Sequence, residues 1–341
     1  RLGYPRTFSI YDQADAQRLT GYVIRDLGLD AKRFTPRGVH GIISLWKNEL
    51  VTPDDAALKA NNIFDRKHAD VYREYQLRLQ RAGAMDFDDL LMKTVELFRQ
   101  HPDVLESYQQ RFRHILIDEY QDTNMAQNEL AVLLAKDTGE ITAVGDSDQS
   151  IYGFRGADVR NINELEDQFP DLTTIVLDQN YRSTQVILDA ANAVISNNMS
   201  KTKKRLWSEL GAGDPIVRYQ ADDEHDEAQW VARTIHTLHE HEAQQWREVA
   251  VFYRTNAQAR VLEEALIRLG VPYKVVGGTR FYDRREIKDA MAYLRAVVNP
   301  ADEVSVKRVL NVPKRGLGDA TVAKIDALAA AAGISFTDAM R

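Results

Sequence analysis

Three short stretches of this chain hold residue types that could do chemistry on a charged substrate. The first is His114-Ile115-Leu116-Ile117-Asp118-Glu119-Tyr120-Gln121-Asp122-Thr123. Its apolar run reads as a buried strand, and polar chemistry can begin where the strand ends. In a parallel α/β sheet, ligands bind beyond the carboxyl ends of the strands, which would put Asp118 and Glu119 at the lip of a site. Asp118 suits a hard cation such as Mg²⁺, reached directly or through water. Glu119 could orient and deprotonate an attacking water. The plain alternative is a strand followed by an acidic helix cap.

The second stretch runs from Val144 through Gly145-Asp146-Ser147-Asp148-Gln149-Ser150-Ile151-Tyr152-Gly153-Phe154-Arg155-Gly156 to Ala157. It too starts at a strand end, so Gln149 would project into the crevice of Asp118 and Glu119. A neutral amide there can sense a phosphate or a water without adding charge. Aromatic rings beside an arginine on a glycine-rich loop suit base stacking with a phosphate contact. On composition alone Tyr152 reads as a core residue, and Phe154, between Gly153 and Arg155, as an exposed one. The third stretch, Leu177-Asp178-Gln179-Asn180-Tyr181-Arg182-Ser183-Thr184, again follows a predicted strand. Arg182 could offer its guanidinium to a transferring phosphoryl group, and Tyr181 could stack on a base. Its alternative is a helix N-cap at Ser183 or Thr184.

The elements that must position these residues fall into two styles. Residues 1–111 read as helical. Asp12 to Leu29 and Val39 to Leu50 carry apolar residues near a 3.6 period, and Thr52-Pro53-Asp54-Asp55 looks like a helix start. Ala57 to Leu79 reads as one longer helix with Tyr72, Tyr75 and Leu79 on a stripe. Met85 to Arg99 reads as another, with acidic residues in its first turn. Trp46-Lys47 could meet nucleic acid, but a Trp at helical spacing more often belongs to a core. From Phe112 the pattern alternates. Strands are expected at 115–118, 140–146, 173–177, 216–219, 249–253 and 273–276. Helices are expected at 125–135, 159–169, 184–197, 224–241 and 257–269. That alternation means βαβ units and parallel sheets, an α/β fold. Lys201-Thr202-Lys203-Lys204-Arg205 lies between the two α/β sections as a solvated linker or a phosphate contact.

Composition narrows the classes. The chain has 341 residues, 44% of them hydrophobic, enough for two or three domains with sizeable cores. It has no cysteine, which excludes disulfides and thiolate metal sites. No run approaches the roughly 18 apolar residues of a membrane span, and no secretory signal is visible, so a cytoplasmic protein is expected. A net charge of −7 argues against a globally basic surface, so any nucleic-acid path must be a local groove.

Together the three stretches resemble the UvrD/PcrA/Rep helicases of superfamily 1. Asp118-Glu119-Tyr120-Gln121-Asp122 is similar to the family's motif II, Gly145 to Ala157 to motif III, and Gln179 to Ser183 to motif IV. Further matches follow in family order: Tyr253-Arg254-Thr255-Asn256, Gly277-Gly278-Thr279-Arg280-Phe281, Arg285-Glu286-Ile287-Lys288-Asp289, and Val312-Pro313-Lys314-Arg315-Gly316-Leu317-Gly318. Asp86 to Leu91 also matches. The resemblance implies RecA-like parallel-sheet domains of the P-loop NTPase type with helical inserts. Residues 1–111 would be the first insert, 112–179 the back of the first RecA-like domain, 180–278 the front of the second, and 279–341 the start of the other insert. It implies ATP and Mg²⁺ as cofactors. Asp118 would hold the metal, Glu119 would be the base, and Gln149 would couple the γ-phosphate to DNA. Tyr181 would stack on adenine, and Arg182 would be the arginine finger. Tyr152, Phe154, Arg155, Arg254 and Asn256 would contact DNA. Gly316 and Gly318 would lie in a helix-hairpin-helix loop on a duplex phosphate. The partners implied are single-stranded and junction DNA, with repair or transcription proteins as further partners. The implied activity is 3′→5′ unwinding in repair or replication.

One family feature is missing. No G-x-x-x-x-G-K-[ST] occurs; Gly211-Ala212-Gly213 and Gly277-Gly278 lack the following lysine. The chain is therefore expected to be an internal piece of a longer helicase and inactive alone. Two other readings remain: part of a RecB/AddA-like helicase–nuclease, or a DNA-binding module without hydrolysis.

Overall fold

The structure, a computed structural model, describes residues 1–137, 139–198, 204–276 and 285–340. It divides into two compact units, Arg1–Ile175 with Arg284–Arg341, and Val176–Asp283.

The first unit opens with β1 (Ser9–Tyr11) and α1 (Gln13–Asp26), followed by α2 (Pro36–Asn48), α3 (Pro53–Leu58) and α4 (Ile63–Arg81). β2 (Ala84–Asp86) leads directly into α5 (Phe87–Gln100), and α6 (Pro102–Arg111) follows. The cap chemistry is local. Asp12 accepts from the Asp15 N–H, and capping boxes pair Thr52 with Asp55 and Asp86 with Asp89. The helix expected over Ala57–Leu79 is broken. Asn62 Oδ1 accepts the Phe64 and Asp65 N–H groups at 2.9 and 3.0 Å, so a new helix starts there instead of continuing the old one.

The reading of residues 1–111 as helical also missed a sheet. β1 and β2 pair in parallel, Ser9 with Ala84 and Tyr11 with Asp86. Gly83 makes the turn into β2 at φ +55, and a Cβ there would lie 2.9 Å from Pro5 Cγ. The core beneath is formed by Leu19, Val23, Ile43, Tyr72, Tyr75 and Leu79, joined by Val304 from the far end of the sequence. Trp46 stacks on Tyr72 at 5.8 Å, so the core reading of that tryptophan holds.

The α/β part of this unit has β3 (Ile115–Ile117), α7 (Met125–Ala135), β4 (Ile141–Ala143) and α8 (Arg160–Gln168). β3 and β4 are parallel neighbours, Ile115 opposite Ile141 and Ile117 opposite Ala143. α12 (Arg285–Val298), α13 (Glu303–Val309), α14 (Asp319–Ala332) and α15 (Phe336–Ala339) complete the unit. Their anchors reach back to its start. The Tyr11 hydroxyl donates to Asp302 at 2.6 Å, Arg295 pairs with Asp15 at 2.9 Å, and Asn299 donates to the Ala82 carbonyl at 2.8 Å.

The second unit holds α9 (Gln185–Ile195), α10 (Glu224–Glu242) and α11 (Asn256–Arg268). α10 and α11 share a small core of Ala228, Ala232, Ile235, Ala265, Leu266 and Val271. Strands expected at 173–177, 216–219, 249–253 and 273–276 form no ladder among the described residues; the single strand-type bridge there joins Gln179 to Trp207. Apolar content alone does not make a strand. It needs a neighbour for its N–H and C=O groups, and Phe252 and Val276 instead lie 93% and 84% exposed. Among the described residues the α/β expectation thus takes the form of a largely helical chain with two small parallel sheets.

Candidate functional site

Asp118 and Glu119 follow the last residue of β3, and Gly145-Asp146 lies just beyond the end of its parallel neighbour β4. Parallel pairing therefore brings both chain segments out at one sheet end. The pairing persists past the strands: Tyr120 N–H donates to the Val144 carbonyl at 2.9 Å, and Val144 N–H to Ile117 at 2.8 Å. Asp118 and Glu119 are exposed. Glu119 holds φ +53, a left-handed conformation costly for a residue with a Cβ. Its N–H donates to Asp118 Oδ1 at 2.9 Å. Tyr120, directly after it, is fully buried and donates its hydroxyl to Asn128. Burial pushes that phenol up to about 12, so it remains a donor at neutral pH.

Gln149 lies three residues past Asp146 on the segment that leaves this sheet end, and its side chain is exposed. Its amide donates to Asp146 Oδ2 at 2.7 Å. The following loop presents Tyr152 and Phe154 with ring centroids 6.0 Å apart, and the Arg155 guanidinium lies 5.2 and 5.5 Å from them. Phe154 is 72% exposed, as expected. The core reading of Tyr152 is corrected: the ring is 37% exposed, because it packs on Phe154 and Arg155 and not into the interior.

The other candidates belong to other elements. Tyr181 and Arg182 belong to the second unit, and both are exposed. Asn180 Oδ1 accepts the N–H groups of Arg182 and Ser183 at 2.9 and 2.8 Å, fixing this turn. Thr184 occupies the N-cap of α9, but neither it nor Ser183 gives that helix a side-chain cap. Arg254 and Asn256 flank the α11 cap, their side chains exposed. Gly316, at φ +75, and Gly318 precede α14, with open space where a Cβ would be. Arg315 beside them, itself exposed, donates to the Val309, Leu310 and Val312 carbonyls at 2.8, 3.0 and 3.1 Å. The Gly277–Phe281 match and Lys201–Lys203 lie outside the described residues.

Sequence reasoning missed the polar side chains behind the site. Lys47 is fully buried, with Asp86 at 2.7 Å and Asp89 at 2.9 Å, which removes it from any nucleic-acid surface. Asp86 also accepts from the Tyr75 hydroxyl at 2.7 Å, and the lysine beside it holds its carboxyl below the usual range despite burial. In the next residue of the helix, the Asn48 amide donates to the Ser44 carbonyl at 2.8 Å and to Asp88 at 3.2 Å. Asn124, just past the Asp118–Asp122 stretch, donates to Asn48 Oδ1. The Thr123 carbonyl accepts from Asp158 N–H at 3.0 Å and from the Asn161 amide at 2.9 Å. These bonds anchor the Thr123-Asn124 segment that follows the exposed carboxylates. The residue types were visible in the sequence; their convergence depends on contacts between distant segments.

Residues 1–170 match the UvrD/REP helicase N-terminal domain family, and residues 175–341 the UvrD-like helicase C-terminal domain family. The chain belongs to the UvrD/PcrA-type superfamily 1 helicases. It is 51% identical over 348 residues to the ATP-dependent DNA helicase UvrD1 of Mycobacterium tuberculosis, covering 99% of this chain and 45% of that protein. It is 48% identical over 341 residues to the ATP-dependent DNA helicase PcrA of Bacillus subtilis, covering 100% of this chain and 46% of that protein. PcrA of Staphylococcus epidermidis is likewise 48% identical, over 340 residues. The chain thus spans about half the length of the curated relatives it matches. Membership in this helicase family implies a P-loop NTPase fold. Among the described residues no helix is long and apolar enough to cross a membrane.

Proposed function

We propose that this chain supplies the hydrolysis and strand-gripping residues of an ATP-dependent 3′→5′ DNA helicase acting in repair or replication. The observation that supports the reading is the shared sheet end from which the Asp118–Glu119 and Asp146–Gln149 segments leave, with Tyr152, Phe154 and Arg155 on the adjoining loop. In this reading Glu119 takes a proton from the attacking water, and Gln149 registers the γ-phosphate. Tyr181 stacks on adenine, and Arg182 stabilises charge on the transferred phosphoryl group. Phe154, Tyr152 and Arg155 hold a single strand, aided by Arg254 and Asn256, while the Gly316–Gly318 turn takes a duplex phosphate. Residues 1–111 and 279–341 correspond to the helical inserts, and 112–179 and 180–278 to parts of the two RecA-like domains. The substrates are single-stranded and junction DNA in the cytoplasm.

The donor set suits Mg²⁺. Asp118 is an exposed carboxylate at a strand end, and no three acidic, His or Cys side chains converge as a closed metal cage among the described residues. A cation that keeps waters and phosphate oxygens in its shell needs no such cage. Bound with nucleotide, it would neutralise charge developing on the phosphoryl oxygens. Identity of about half to UvrD1 and PcrA favours this motor over a RecB-like one.

The test is Glu119→Gln in the full-length reading frame carrying this chain. Loss of a positioned general base should lower DNA-stimulated ATP hydrolysis by ~10²–10⁴-fold, with nucleotide and Mg²⁺ binding kept. Hydrolysis within twofold of the unsubstituted protein would refute the reading, and loss of nucleotide binding would reassign Glu119 to the binding site.

A further inference from the structure

Between Glu119 and Gln149 runs an unbroken hydrogen-bonded chain, and its middle member is neither of the expected residues. Gln121 is 1% exposed. Its Nε2 donates to Glu119 Oε2 at 2.7 Å, and its Oε1 accepts the Asp146 N–H at 2.9 Å. The Asp146 carboxylate in turn accepts from Gln149 Nε2 at 2.7 Å. The Gln121 carbonyl also accepts from Ser150 Oγ, one residue past Gln149, at 3.3 Å. Only one orientation of the amide serves both ends. Turned over, it would set its NH₂ against the Asp146 N–H and its oxygen against the Glu119 carboxylate.

The neighbouring strand end makes room for this side chain. A Cβ on Gly145 would lie 2.9 Å from Gln121 Oε1 and 3.3 Å from Tyr120 Cβ. Glutamine suits the position. A carboxylate there would repel Glu119, a lysine could not accept from Asp146, and an apolar residue would take the Gln121 acceptor from the half-buried Asp146 N–H. Glu119, at φ +53, sits in a conformation that its surroundings must hold.

We propose that Gln121 is a positioning residue: it orients the Glu119 carboxylate and ties that orientation to the segment bearing Gln149. The proposal rests on the reading of Glu119 as the base. A shift of Gln149 on meeting a phosphate would pull Asp146. The Asp146 N–H would carry the movement to Gln121, and Gln121 would carry it to Glu119. The same segment continues into the Tyr152–Arg155 loop, so strand binding would reach the base by this path.

The experiment uses the full-length protein with Gln121→Leu and Gln121→Glu, and Glu119→Gln as control. Four quantities are measured: kcat and KM for ATP, the ratio of DNA-stimulated to basal hydrolysis, the pH dependence of kcat, and the melting temperature. Gln121→Leu should lower kcat at least about tenfold with KM within about twofold, and should reduce the stimulation ratio. Gln121→Glu keeps the size and the acceptor for Asp146 but sets a second carboxylate against Glu119. The acid limb of its kcat profile should move up by about one pH unit or more. A purely structural role would lower melting temperature and leave that limb in place. A folded Gln121→Glu protein with an unmoved acid limb and unchanged stimulation overturns the proposal, whether or not Gln121→Leu folds. If Glu119→Gln itself keeps full turnover, the reading of the base fails first; if only the Gln121 variants are neutral, this inference alone fails.

Discussion

Phe154 shows how one exposed ring separates two explanations. It is 72% exposed, and its visible partners are Tyr152 and Arg155. An aromatic side chain left in water while its neighbours flank it is poised for a flat ligand. A base stack is worth about 1–3 kcal/mol, so Phe154→Ala should weaken single-strand binding by that order and leave melting temperature nearly unchanged. Phe154→Trp should bind at least as well, since either ring offers a flat face. Strand affinity and thermal melts of both variants decide the matter: a large loss of stability with unchanged affinity would return the ring to a packing role. Tyr152 teaches the complementary lesson. Nothing in its sequence context distinguished core from surface, because the ring's place depends on Arg155 lying over it. Gln121 was part of a recognised stretch, yet its duty depends on Asp146, which sequence spacing does not place beside it.

At the scale of the element, α2 buries polar side chains, His40, Lys47 and Asn48, alongside the apolar Val39 and Ile43. Lys47 is enclosed by Asp86 and Asp89 from the β2–α5 junction. Replacing it by Met would leave two carboxylates buried without a cation, which should destabilise the protein by about 3–5 kcal/mol in urea unfolding. A loss below about 1 kcal/mol would mean that water reaches the site. The same helix carries His40, 7% exposed, whose burial holds its imidazole below the ordinary value of 6.5. His68 shifts in the same direction for the same reason. With folded values depressed, the unfolded chain takes up protons first as pH falls. Their contribution to stability is therefore full above about pH 6.5 and declines below it. Melting temperature should fall from about pH 7 to about pH 5, less steeply in His40→Gln; equal slopes would exclude His40 as a source. Legibility follows from the same physics. The helix expected at 125–135 coincides with α7, whose start is set locally by the Asn124–Gln127 capping box. The β1 strand could not be read, since Ser9–Tyr11 is too short to show a period and exists through its pairing with Ala84–Asp86. The four predicted strands that form no ladder among the described residues were apolar enough; what they lack there is a neighbour.

At the scale of the whole molecule, the missing phosphate-cradling sequence sets an expectation for the chain on its own. Purified residues 1–341 should release no phosphate from ATP above a buffer blank, with or without DNA. Release that Glu119→Gln abolishes would overturn this expectation, whereas release that survives the substitution would come from a contaminant. The first unit has a further property. Its start and its last helices are joined through Tyr11 and Asp302, residues separated by 291 positions, and Val304 packs in the same core as Tyr11. On a translating ribosome at about 5–20 residues per second, Tyr11 would emerge roughly 15–60 s before its acceptor exists. During that interval the nascent β1–β2 edge and the pocket destined for Val304 stand open, a period in which a chaperone or a protease would find this chain at its most vulnerable.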